Sequence, residues 1–190
     1  MKTKEEIKKI ESVVLYILNR FQEGVDYIKL FKIMYFAQKD YLLSYGKVLC
    51  PDTFKARKYG PVPMLSDKVL KTVETQESLR NRDDLKPFSL AIKVDKNQRV
   101  FSLQEPDLDY LSGKERKCLD KWIEYCYDKD SIKELSPESH DAAYDAAWSA
   151  YQDDPQKGEM TLIEIARAGG ASDKLISYIR EKELMNEQLS

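Results

Sequence analysis

One histidine, three cysteines and a run of cations beside a proline-rich turn are the residues of this 190-residue chain whose types could do chemistry. His140 is the only imidazole, so any histidine-dependent proton transfer would rest on it. Tyr144 and Trp148 follow at i+4 and i+8, on one face of a helix predicted to open at Ser136-Pro137 and run to about Tyr151. In the first turn of such a helix, exposed amides disfavour the protonated ring. Two roles fit the residue: acid/base or contact work in an aromatic setting, or a packing histidine bonded to a neighbouring loop. Cys50, Cys118 and Cys126 are odd in number and have no metal-like spacing. Cys126 falls on the apolar face of a helix, where a thiol is inert, whereas Cys50 beside Pro51 is open to exposure. No Gly-x-Ser-x-Gly elbow, phosphate-cradling glycine loop or histidine-rich metal helix is present. The expectation is no catalytic set, no metal and no cofactor.

The stretch Lys55-Ala-Arg57-Lys58-Tyr59-Gly60-Pro61-Val62 offers a different kind of chemistry. Three cations next to an aromatic and a rigid turn suit contact with an acidic protein or with phosphates. They suit equally an edge strand kept soluble by charge, with Tyr59 packed inward. In the tail, Ile165-Ala166 and Gly170 followed by Ile176 and Ile179 have the spacing of a helix-turn-helix. Residues 159–190 nevertheless carry more acidic than basic side chains, and a recognition helix should not repel phosphates.

The elements that must position these residues follow from periodicity. Ile7, Ile10, Val14, Ile17, Leu18 and Phe21 recur at helical spacing, and Gly24 ends the run. Asp26 then caps a helix over 27–45, closed by Gly46, that is apolar almost all round and so belongs at the hub of the core. Thr53–Tyr59 reads as a short strand that Gly60-Pro61-Val62-Pro63 should stop, since proline lacks the ladder amide. Pro63 begins a third helix to about Thr75, and 76–86 reads as loop. Phe88, Leu90, Ile92 and Val94 alternate as a strand, paired through Asp95–Gln98 with Arg99–Leu103. Capping boxes at Ser112–Glu115 and Thr161–Glu164 open two further helices, 153–158 reads as a linker, and a last helix runs from about Asp173 to Glu187. The class is α+β, mainly helical, with one small antiparallel sheet of about three strands and a C-terminal helical hairpin. The division expected is a domain over 1–152 and a linker with helical extension over 153–190.

Composition sets bounds on function. Hydrophobic residues at 42% supply a core, and no apolar run approaches the roughly 20 residues of a membrane span. Met1–Ile10 has no hydrophobic stretch of the secretory type, and the unpaired thiols suit a reducing compartment, so a cytoplasmic, folded protein is expected. A formal net charge of −2 lacks the basic excess of a duplex-binding domain, although residues 1–68 are mildly basic and the remainder acidic.

Leu30-Phe-Lys32-Ile-Met-Tyr35-Phe36-Ala37, then Tyr45-Gly46, then Phe54 to Val62, together resemble the Panacea antitoxin domain, the SocA-like family that includes phage-associated GepA-type proteins. Leu111-Ser112 with Glu115, Glu134-Leu-Ser136 and Ser139-His140 resemble its second half, so the likeness spans about Val13 to Trp148. Members often carry a tryptophan soon after the histidine, where Tyr144 stands here. The positions carrying the motif are Lys32, Tyr35, Phe36, Tyr59, Gly60, Pro61, Val62 and His140. The resemblance implies a bacterial or phage antitoxin whose partner is a cognate protein toxin, neutralised by direct binding or by delivery to a protease such as a ClpXP-type machine. The expected toxin-facing residues are Lys55, Arg57, Lys58, Tyr59, Pro61, Pro63, His140 and Tyr144, with Tyr35 in the core. A regulator that binds operator DNA through the tail, and a hydrolase or transferase built on His140, are the competing readings.

Overall fold

The structure, a computed structural model, describes residues 2–77, 79 and 82–188, with side chains to 185. Thr3 opens α1 (Lys4–Leu18) with a reciprocal cap, its side chain accepting from the Glu6 amide and its amide donating to the Glu6 carboxylate. Ile7, Ile10, Val14, Ile17 and Leu18 are buried along it, and Phe21 follows in the turn. A two-residue strand, β1 (Val25–Asp26), leads into α2 (Tyr27–Tyr45). Asp26 caps α2 by accepting from the Lys29 amide at 2.9 Å, and Gly46 closes it at φ +61°, both as the sequence predicts. From Leu30 to Gln38 every residue of α2 is buried, which makes it the hub against which α1 and later elements pack. Gln38 Oε1 accepts from the amides of Leu49 and Cys50, tying down the chain that leaves the helix. Cys50 is sealed inside rather than exposed.

β2 (Phe54–Arg57) ends at Arg57, yet the sheet does not stop at the glycine-proline segment. The chain turns over Lys58-Tyr59, and β2 pairs antiparallel with β3 (Gly60–Pro63), Arg57 opposite Gly60 and Phe54 opposite Pro63. The expected stop fails because of ladder phase. Hydrogen-bonded and non-hydrogen-bonded pairs alternate, and the Met64 amide donates to Thr53 O at 2.9 Å. Pro61 and Pro63 therefore occupy positions whose nitrogens face away from β2, where no amide is needed. α3 (Met64–Thr75) follows directly, its first amides held by the buried Asp52 carboxylate, which accepts from Leu65 and Ser66.

The predicted loop over 76–86 includes residues 78, 80 and 81, outside the described set, and ends in a single 3₁₀ turn over Asp83–Leu85. The strand expected from Phe88 to Val94 is half helix: α4 (Lys86–Leu90) precedes β4 (Ile92–Val94). Pro87 suits a first helical turn, and the buried set is Phe88, Ala91 and Ile92 at i, i+3 and i+4, while Leu90 is left exposed. β5 (Arg99–Ser102) returns beside β4 and pairs also with β1. α5 (Gly113–Cys126) carries the expected capping box from Ser112 and Glu115.

The helix expected from Pro137 to Tyr151 is broken. A π turn over Ser131–Leu135 and the short α6 (Ser136–Glu138) precede a turn, and α7 (Ala142–Asp153) starts afresh at Asp141. Asp141 Oδ1 accepts from the Ala143 and Tyr144 amides, a cap strong enough to start a new helix. The segment predicted as linker is partly in the sheet: Gly158 O accepts from the Ala56 amide, and β6 (Glu159–Met160) pairs with β2. α8 (Leu162–Ala168) and α9 (Asp173–Gln188) complete the chain.

The fold is thus α+β and mainly helical, with two three-stranded antiparallel sheets among the described residues, in the orders β1-β5-β4 and β3-β2-β6. No helix among those residues is long and apolar enough to cross a membrane. The tail shares the core: Met160, Ile165, Ala166, Ile176 and Ile179 are buried, and any side chain at Gly169 would strike Leu43 of α2. Removing residues 159–190 is expected to destabilise the rest by about 5 kcal/mol or more, at about 1.5–3 kcal/mol per buried aliphatic side chain. An unchanged urea midpoint for the truncated chain would instead make 1–158 a self-sufficient unit.

Candidate functional site

Lys32 lies at the middle of α2 and is 1% exposed. Its Nζ donates to Pro61 O at 3.2 Å, a carbonyl that the ladder phase aims away from β2. Gly60 permits this approach. It sits at φ +104°, and a Cβ there would collide with Lys32 Nζ and Ser139 Oγ. Two further carbonyls of the turn are held from α6 and α7. Ser136 Oγ donates to Tyr59 O at 3.0 Å, and Tyr144 OH donates to Arg57 O at 3.0 Å. Three side chains from three helices thereby fix the β2–β3 tip.

His140 is not in a helical first turn but in the turn between α6 and α7, its amide donating to Pro137 O at 3.1 Å. Its ring stacks on Tyr144 with centroids 4.0 Å apart and planes 9° from parallel, and the stack continues through Trp148 to Tyr151. The one-face relation read from i+4 and i+8 spacing therefore stands. Burial lowers the His140 pKa, and the neighbouring Lys32 charge lowers it further; these causes replace the helix-start argument. Its Nε2 is buried without a protein hydrogen-bond partner. Asp141 pins the same loop to α2, since its Oδ2 accepts from Tyr35 OH at 2.7 Å and from Lys39 Nζ at 2.9 Å. Burial would raise that carboxyl, but the bonds from Lys39 and Tyr35 outweigh it and hold it below the usual carboxylate range.

Burial depresses the Lys32 amine to about 7, because no carboxylate is bonded to it and an ammonium out of water is costly. The thiols are shifted the other way. Burial raises all three, Cys118 and Cys126 to about 12, which leaves little thiolate at neutral pH. No cluster of histidine, cysteine and carboxylate side chains able to hold a metal ion occurs among the described residues.

The residues expected to face a partner divide by exposure. Lys58 and Tyr59 stand out at the turn, and Lys55 and Arg57 are half-buried on β2. Lys55 lies opposite Glu159, and the Arg57 guanidinium sits 4.6 Å from the Tyr151 ring centroid. His140 is half-buried, as is the motif residue Val62, whereas Pro61, Pro63 and Tyr144 are buried and act through the pose of the tip. Tyr35 and Phe36 are in the core, as expected for Tyr35.

The hairpin, the buried lysine beneath it and the Ser136–His140 loop all fall between residues 30 and 149, the span matched by the family model for the antitoxin SocA-like Panacea domain. The chain belongs to the SocA-like Panacea antitoxin family. No curated protein and no solved structure is found to match it. In this Panacea domain α8 and α9 follow the matched span, yet α8 packs on α2 and α7 and α9 packs on α8. Sequence reasoning missed Asp141, Lys39 and Ser136 as members of the site. The Asp141-x-x-Tyr144 start of a helix was available as a capping signal, but a helix drawn through from Pro137 hid it.

Because Lys32 is depressed when folded, the unfolded chain binds more protons between about pH 7 and the ordinary lysine range, and folding stability should rise with pH there. The three raised thiols oppose this above about pH 8.5. The difference between wild type and Lys32→Met isolates the lysine, with a maximal slope of about 1.4 kcal/mol per pH unit. Urea midpoints measured from pH 6 to 9 check it, and parallel profiles would contradict it. Gly60→Ala should lower the melting temperature at every pH in that range, since its clash with Lys32 and Ser139 does not titrate.

Proposed function

We propose that this chain neutralises a protein toxin by direct contact, without transforming a substrate, and that the β2–β3 tip is the contact surface. The antitoxin family supplies the partner class, a protein toxin. What carries the reading for this surface is the contrast within the hairpin: Lys58 and Tyr59 are offered to solvent while Lys32, Ser136 and Tyr144 hold the backbone beneath them. A tip fixed by three side chains loses little conformational entropy when it docks, which favours affinity. Exposed tyrosine and arginine are common anchors of such contacts.

The competing chemistries find less support. Ser139 Oγ is buried and donates to Ser136 O, so it faces no solvent-borne substrate. The thiols are protonated at neutral pH and His140 is shielded by its stack on Tyr144. The exposed side chains of α9 mix Lys174, Arg180 and Lys182 with Asp173 and Glu181, which gives no basic stripe for a duplex. Neutralisation by masking then needs only the chain and its toxin; delivery to a protease would add a third component without changing the surface that the toxin meets.

Arg57→Glu combined with Lys58→Glu should reduce rescue of cells expressing the toxin encoded by the neighbouring open reading frame, and weaken co-purification at least about tenfold, or about 1.4 kcal/mol. Its circular dichroism should stay near wild type and its melting temperature should fall only slightly, because Lys58 is exposed and half-buried Arg57 gives up only its bond to Ala56 O and its contact with the Tyr151 ring. Full rescue by the folded double variant would remove the tip from the interface. Rescue by wild type only in cells that retain the protease would favour delivery over masking.

A further inference from the structure

Behind the turn, between the first half of α2, α3 and the end of α7, lies a cavity of about 340 Å³. Its wall is aromatic: Tyr27 and Phe31 from α2, Tyr59 from the turn, and Trp148 and Tyr151 from α7. Cations surround that wall. Lys32 reaches it from below, Arg57 and Lys58 from the hairpin, and Lys71 from α3. One carboxylate, Asp67, is present, and Lys71 already neutralises it at 2.7 Å. Arg57 is tethered through Nη1 to Ala56 O and lies over Tyr151, so its charge is oriented rather than swinging free. Lys58 lies 5.1 Å from the Tyr59 ring centroid and is otherwise exposed.

Two independent features mark this cavity as built for a ligand. The first is Lys32, a buried amine whose one protein hydrogen bond among the described residues goes to a neutral carbonyl. An ammonium in that state lacks a counterion, and an entering anion would supply it. The second is the ring surface. Flat aromatic faces beside cations hold a planar ring by stacking, at about 1–3 kcal/mol per base in nucleic-acid sites, while the cations hold a phosphate. The volume is near the lower end of the roughly 300–1,000 Å³ of small-molecule sites, which suits one ring system and one phosphate.

We propose that this cavity is a binding site for a phosphorylated nucleoside of mononucleotide size, its base against the Tyr27 and Phe31 rings of α2 and beside Trp148, and its phosphate between Lys58, Arg57 and Lys32. The site goes beyond toxin neutralisation and does not depend on it: AMP binding by a chain that fails to rescue cells would count against the antitoxin reading alone. Rescue without AMP binding would count against the nucleotide site alone.

The test is a titration of the purified full chain with AMP, adenosine, inorganic phosphate and a glutamate-rich peptide, followed by the indole N–H resonances of the two tryptophans. AMP should shift the Trp148 signal and leave that of Trp122, which bonds Asp40 in the second half of α2 and does not line the cavity, unmoved. Adenosine and phosphate should each bind at least about tenfold more weakly than AMP, because each keeps half of the contacts. Lys58→Gln, an exposed change with little bearing on folding, should weaken AMP by about tenfold. Lys32→Met, where it folds, should weaken it further. No shift of Trp148 at millimolar AMP, equal affinity for adenosine and AMP, or an unaltered Lys58→Gln variant would each overturn the proposal. Binding of the peptide as tightly as AMP would also overturn it, since the surface would then read carboxylates rather than nucleotides.

Discussion

A lysine amine enclosed in the central helix, with a proline carbonyl as its partner, is the constraint on which the rest of this molecule turns. Placing its charged form away from water is unfavourable, and the chain offsets it only partly with one hydrogen bond. The geometry around the amine admits little variation. Gly60 must lack a side chain, Pro61 must present its carbonyl outward from the ladder, and Ser139 must close the space from the other side. Each of these requirements falls on a different stretch of sequence, so one buried amine couples α2, the hairpin and the loop before α7.

The loop before α7 has its own link to the same helix. Asp141 caps α7 with one carboxylate oxygen and receives Tyr35 and Lys39 of α2 with the other. Lys32, Tyr35 and Lys39 are spaced at i, i+3 and i+7, along one face of α2, so the hairpin and the α7 start are read by the same helical stripe. Tyr144 then returns from α7 to the hairpin through Arg57 O, which closes the circuit. A shift in any one element would unmake hydrogen bonds in the other two.

Much of this frame was legible in the sequence. Asp26 and Gly46 bracket α2 because a capping carboxylate and a left-handed glycine announce helix ends locally, and the all-round apolar run announces a hub. The capping boxes of α5 and α8 are equally local. What stayed hidden depends on phase or partners. Whether a proline breaks a ladder depends on which way its nitrogen faces, which only the pairing of Met64 with Thr53 reveals. Phe88, Leu90, Ile92 and Val94 alternate as a strand would, yet Ala91, too small to attract notice, is the buried residue that makes 88–92 a helical face. Lys32 reads as a surface cation in any window of sequence; its burial is imposed by the hairpin that comes almost thirty residues later.

The burial of the family motif bears on how partner choice can be encoded. Lys32, Tyr35, Phe36, Gly60 and Pro61, which carry most of the resemblance to the family, lie inside and set the pose of the hairpin. Lys58 and Tyr59 lie at its tip, where a side chain can change without touching the buried amine or the carbonyls that hold the turn. A scaffold arranged this way separates the residues that fix where the tip is from those that decide what it touches. Recognition can then be altered by substituting two or three exposed side chains, whereas altering the pose would require Lys32, Gly60 and Ser139 to change together.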